Sequence, residues 1–131
     1  MESKSSDSII NERILLTLHS ISETITNLIE WNKNVDSADA YYSSPGGMQL
    51  LAANCTLITA IGEGIKRISR IAPDFLCTNF PDIPWIDIIG MRNRIAHGYF
   101  ELDADIVLDT IKNGVPPLQS AILKAIDICS I

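Results

Sequence analysis

The chain has 131 residues, with 10 basic against 16 acidic side chains and a formal net charge of −6; that length holds one domain, residues 1–131, with a sizeable core. The acidic balance excludes a protein that coats nucleic acid through many phosphate contacts, but leaves room for a small basic pocket. Three widely spaced cysteines without a CxxC pair read as buried, reduced thiols, no apolar run approaches the roughly 18 residues of a membrane span, and the first residues lack a secretion signal, so a cytoplasmic chain with no membrane, no metal and no cofactor is expected.

Helical periodicity dominates from the start. Ile10, Ile14, Leu18, Ile21, Ile25 and Leu28 step by threes and fours, the spacing of one apolar stripe. Ser and Asp residues at positions 5 to 8 are its N-cap candidates. Residues 32–47 hold breakers (Pro45, Gly46, Gly47) and no sustained period, which reads as a connection. A second helix is expected from about Met48, with Leu51, Cys55, Ile58, Ile61, Ile65 and Ile68 inward. Gly62 and Gly64 interrupt it, which makes sense if another helix approaches closely there. Pro73, Pro81 and Pro84 punctuate the next link.

A third helix should open near Pro84 and close near His97 with Gly98 as its cap. Asp103 can cap a short fourth helix through Ile106, Val107 and Ile111, stopped by Asn113 and Gly114. Pro116 or Pro117 then opens a fifth, with Leu118, Ala121, Ile122, Ala125 and Ile126 on one face. No strand alternation persists. The fold class is all-α, an antiparallel bundle of about four to five helices.

The chemistry concentrates in Met91-Arg92-Asn93-Arg94-Ile95-Ala96-His97-Gly98-Tyr99. A guanidinium to hold phosphate and an imidazole to move a proton near neutral pH suit phosphodiester cleavage without metal. At about 100° per residue, Arg92 falls within the apolar stripe of Trp85, Ile88, Ile89 and Ile95. A charge there must snorkel, line a cavity or pair with a carboxylate such as Glu63. Asn93 and His97 share a different face with Ile86 and Gly90. Either Arg92 curls around, or a second copy of the helix supplies the missing group, which predicts a homodimer with a composite cleft that Gly90 helps to close. The plainer alternative for His97 is capping of helix C-terminal carbonyls. His19, on the first helix without polar company, reads as a surface or partly packed residue.

These residues resemble the HEPN superfamily, specifically the HepT-type toxins of toxin–antitoxin pairs. Arg92, four residues, His97, one residue and Tyr99 match that type's motif position by position, and Asn93 matches the polar residue after the arginine. The likeness extends to Ile61-Gly62-Glu63-Gly64-Ile65-Lys66-Arg67, to Pro81-Asp82-Ile83-Pro84-Trp85, and to Val115-Pro116-Pro117-Leu118. Leu108 stands where such proteins often have tryptophan. The resemblance implies a HEPN-like bundle and a homodimeric, metal-independent endoribonuclease acting on RNA. In it Arg92, Asn93 and His97 would be catalytic and Glu63 supporting. It also implies a cognate minimal nucleotidyltransferase antitoxin that adenylylates Tyr99. Two other functions fit the sequence: a non-catalytic substrate-binding or docking subunit of a nucleotidyltransferase, and a plain helical interaction domain.

Overall fold

The computed structural model describes residues 6–96 and 103–130, and every element among them is helical. Seven α-helices follow in order: α1 (Ser6–Trp31), α2 (Asp39–Tyr42), α3 (Pro45–Ile71), α4 (Phe75–Asn79), α5 (Trp85–Ala96), α6 (Ala104–Asp109) and α7 (Val115–Cys129). The all-α expectation holds.

The long helices α1 and α3 form the spine. Ile14, Leu18, Ile21, Ile25 and Leu28 of α1 are buried against Leu51, Ile58, Ile61, Ile65 and Ile68 of α3. The stripe read from the sequence is therefore the core face, except at Ile10, which is 37% exposed. The pair runs antiparallel, because Ile21 meets Gly64 while Asn32, just past α1, meets Asn54. A Cβ on Gly64 would stand 2.8 Å from Cγ1 of Ile21, so this glycine lets the two backbones approach. Helix α7 lies antiparallel on α1 too: Asn11 donates to the Cys129 carbonyl (2.7 Å) and Lys112 to the Asn32 carbonyl (2.9 Å).

The connection after α1 is more ordered than its breakers suggest. Helix α2 sits inside it and sends Tyr41 fully into the core. There the Tyr41 hydroxyl donates to Asn32 Oδ1 (2.8 Å), Asn32 Nδ2 to Asn54 Oδ1 (2.8 Å), and Asn54 Nδ2 back to Asn32 Oδ1 (2.9 Å). Each buried amide thus has its partner, the condition under which a polar group belongs in a core. Helix α3 begins three residues earlier than expected. Ser44 caps it by accepting from Gly47 N (3.0 Å), and Pro45 takes the first turn, where no N–H is needed.

A second difference lies between α6 and α7. Asn113 and Gly114 do not stop the helix. Thr110–Gly114 widens into one π-helical turn, with Val115 N bonding Thr110 O, and the chain continues helically into α7. Pro116 and Pro117 follow at once in the first turn of α7. Asp103 caps α6 as expected, accepting from Asp105 N (2.9 Å), but Ile106 points outward. Leu108 is half-buried against the core, so the departure at that position is one of packing.

By length and composition α3 is apolar enough to cross a membrane, contrary to the expectation that no such run exists. Its apolar face is the centre of the core, and its last turns carry Glu63, Lys66, Arg67 and Arg70. Cys55 and Cys129 are buried, whereas Cys77, expected inside, is exposed.

Candidate active site

Helix α5 carries the motif, and its position is set by its first turn. Trp85 is buried (6% exposed), with its indole N–H donating to the Phe80 carbonyl at 3.0 Å. The turn before it closes through Ile83 N to Phe80 O (3.3 Å) and Ile88 N to Pro84 O (3.1 Å). From that anchor, Ile88, Ile89 and Met91 pack part-buried against the core. The stripe predicted for this helix is the stripe it buries, as far as Met91.

The opposite face is open. Ile86 is 85% exposed, a large apolar side chain presented to solvent. A Cβ added to Gly90 would meet nothing within 4 Å. Asn93 is exposed and does have an interaction partner. Ile86, Gly90 and Asn93 thus form an outward ridge along the side where His97 was expected. Arg92 and Asn93 lie on the last turns of α5, while the Arg92 side chain and both His97 and Tyr99 fall outside the described residues.

Glu63 lies on the exposed side of α3 and lines a groove against α1, with Thr17, Ser20, Thr24, Gly64, Arg67 and Arg70. The sequence alone does not single out the hydroxyl row of α1 opposite Arg67 and Arg70. That row becomes visible only once the α1–α3 register, set at Gly64, is known. His19 is exposed, as expected. Burial pushes the Cys55 and Cys129 thiols above the ordinary value of 9.0, so neither is disposed to act as a nucleophile.

A profile of the ribonuclease HepT-like family matches residues 48–125, from the first turn of α3 to the last turns of α7. The chain is 28% identical over 105 residues to a Methanocaldococcus jannaschii protein named for an inferred RNase activity, covering 80% of this chain and 89% of that one. It is 26% identical over 107 residues to a probable ribonuclease HepT of Thermococcus cleftensis, covering 82% and 90% respectively. No solved structure matches the chain at a comparable level. With the matched region spanning more than half of its length and containing Arg92, His97 and Tyr99, the chain belongs to the HepT-like ribonuclease family, and is a ribonuclease by that membership.

Proposed function

We propose that this ribonuclease is a metal-independent endoribonuclease toxin whose cleft is completed by a second copy of the chain and silenced by adenylylation of Tyr99. The observation that carries the reading is the ordered set Arg92, Asn93, His97 and Tyr99 in the sequence, within the matched region. His97 takes the proton of a ribose 2′-hydroxyl, whose oxygen attacks the adjacent phosphorus. The 5′-oxygen leaves and takes up a proton, giving a 2′,3′-cyclic phosphate and a 5′-hydroxyl. Arg92 holds the phosphate and stabilises the charge that grows on its non-bridging oxygens. Asn93 orients the imidazole or the RNA.

The open ridge of Ile86, Gly90 and Asn93 supports a two-fold pairing of α5 with its symmetry mate, because an exposed isoleucine gains by being covered and Gly90 permits close approach. Tyr99 lies two residues after His97. An adenylate there adds bulk and negative charge where the RNA phosphate must bind. A minimal nucleotidyltransferase acting as antitoxin is the partner that would supply it. The name borne by the Thermococcus relative agrees with the ribonuclease part of this reading.

The test expresses the chain alone, then as Arg92→Ala and His97→Ala. RNA breakdown with cyclic-phosphate ends, insensitive to chelator and lost in both variants, is expected. Cleavage abolished by chelator refutes the metal-independent mechanism. Harmless expression of all three forms, with tight nucleotidyltransferase binding, would instead favour a docking subunit. Ile86→Glu should separate the protomers without unfolding them, and an adenylate mass shift on the coexpressed complex should vanish in Tyr99→Phe.

A further inference from the structure

The groove between α1 and α3 has a volume of about 530 Å³, and no described residue of α5 lines it. One wall is the α3 surface bearing Glu63, Arg67 and Arg70, and the other is a row of hydroxyls on α1: Thr17, Ser20 and Thr24. These three share one face of α1 and span about 10 Å along its axis. The floor is Gly64 over Ile21, where the two helices pack closely. Arg67 and Arg70 stand one helical turn apart on the exposed side, and among the described residues neither guanidinium is engaged in an ion pair or hydrogen bond.

From this geometry we infer that the groove is a second RNA-binding site, in which Arg67 and Arg70 hold backbone phosphate and the threonines of α1 accept hydrogen bonds from ribose 2′-hydroxyls. The hydrogen-bond directions distinguish this occupant from others. Thr17 donates its hydroxyl proton to the Arg13 carbonyl (3.0 Å) and Thr24 donates its own to the Ser20 carbonyl (2.8 Å). Each hydroxyl proton is thus already given to a backbone carbonyl, which leaves the oxygen able to act only as an acceptor, complementary to a donor. A 2′-hydroxyl is such a donor, and it sits beside the phosphate that two guanidinium groups would grip. An acidic peptide could use the arginines and offer backbone N–H donors, but it carries no hydroxyl donor set beside a phosphate, and the binding test separates the two. The inference rests on RNA being the substrate of this family member. It adds a site that positions the strand without touching the scissile bond, so its loss should raise KM and leave kcat.

The test measures binding of a fluorescent single-stranded RNA to the full chain by anisotropy, in a His97→Ala background so that the probe stays intact, and cleavage by the chain with His97 restored. Arg67→Gln with Arg70→Gln should weaken binding by about tenfold or more at low salt. It should also lower the slope of log affinity against log salt by about 1.4, at ~0.7 for each phosphate contact on a single strand. Thr17→Val with Thr24→Val should reduce the preference for RNA over DNA of the same sequence and leave the salt slope alone. Unchanged affinity and slope in the arginine pair, with RNA cleavage retained, would overturn the groove and leave the nuclease standing. No binding and no cleavage by the unmutated chain would overturn both. A loss confined to self-association or to capture of a protein partner, with RNA affinity intact, would show a protein-docking surface and overturn the inference as well.

Discussion

Three glycines offer the same one-carbon change in three surroundings, and the structure assigns each a different result on conversion to alanine. At Gly90 a Cβ meets nothing within 4 Å, so only the helix preference for alanine remains. That stabilises the protomer by about 0.5–1 kcal/mol, or about 2–4 °C in Tm for a domain of this size. At Gly64 the Cβ would sit 2.8 and 2.9 Å from Cγ1 and Cδ1 of Ile21, whose side chain is 2% exposed and would have to shift within the α1–α3 contact. Overpacking of about 1–3 kcal/mol then offsets a helix gain of about 1 kcal/mol, leaving a net loss of roughly 0–2 kcal/mol. At Gly47 the Cβ would overlap the backbone carbonyl oxygens of Ala40 and Tyr41, which no rotamer can relieve. Helix α2 would have to move and carry Tyr41 with it, at roughly 2–4 kcal/mol. Urea melts followed by circular dichroism, at a concentration low enough to report protomers, give the order Gly90, Gly64, Gly47 from most to least stable. Adding Ile21→Val to Gly64→Ala removes the 2.9 Å contact and should recover part of the loss as a measurable coupling. Equal effects at Gly64 and Gly90, or no coupling to Ile21, would refute the helix packing described above.

Other outcomes follow from the buried polar and thiol groups. Tyr41→Phe should cost about 1–2 kcal/mol, because Asn32 Oδ1 and Asn54 Nδ2 each lose a partner, and Asn54→Ala about 2–4 kcal/mol, since it removes three buried hydrogen bonds and leaves a cavity, although Asn32 keeps the Leu28 carbonyl and the Tyr41 hydroxyl; equal small losses in denaturant melts would contradict a connected network. Alkylation at neutral pH should label Cys77 quickly and Cys55 and Cys129 only on unfolding, read by mass spectrometry as one rapid adduct for each native chain. Burial raises the folded-state pKa of Cys55 and Cys129 above 9.0 and of Tyr41 above 10.0, so the folded state holds those protons longer than the unfolded one. Stability from this source is complete below pH 9 and declines as pH rises through the raised values, so urea midpoints should fall between pH 8 and pH 10.5; a rise over that window would reverse the sign of the argument.

The sequence made α1, α3 and α7 legible because, Ile10 apart, their buried faces obey the helical period over several turns, and period alone decides which side of a long helix turns inward. It concealed α2, since Tyr41 looks like one aromatic among breakers until Asn32 and Asn54, 9 and 13 residues away, supply partners for its hydroxyl. Asn113 and Gly114 carry a local stop signal, overridden because the chain needs a widened turn before two prolines and because Lys112 is held at the end of α1. In the site, the order of Arg92, Asn93, His97 and Tyr99 was readable as chemistry. The outward turn of Ile86, Gly90 and Asn93 was readable as a shared face. The hydroxyl row of α1 was not, because Thr17, Ser20 and Thr24 have the spacing of an ordinary solvated helix face until α3 is laid beside them.

That distribution bears on how a chain of net charge −6 can handle a polyanion. At physiological ionic strength a surface charge is felt over about 8–10 Å, so an RNA strand responds to its immediate wall and not to the molecular total. Five of the 10 basic residues (Lys66, Arg67, Arg70, Arg92 and Arg94) lie at the ends of α3 and α5. Asp82, Asp87 and Asp109 instead rim the cleft between the start of α5 and the π-helical turn, where they repel nucleic acid. Segregation of this kind restricts productive contact to the few places with a local excess of guanidinium, and the acidic remainder suppresses the indiscriminate binding that would occupy a ribonuclease on unproductive RNA. Replacing those three aspartates by asparagine should therefore raise affinity for random RNA without raising kcat, with the gain disappearing as salt is added. A parallel rise in kcat would mean that the acidic face takes part in the chemistry, and that charge separation is not what keeps RNA on the arginine side.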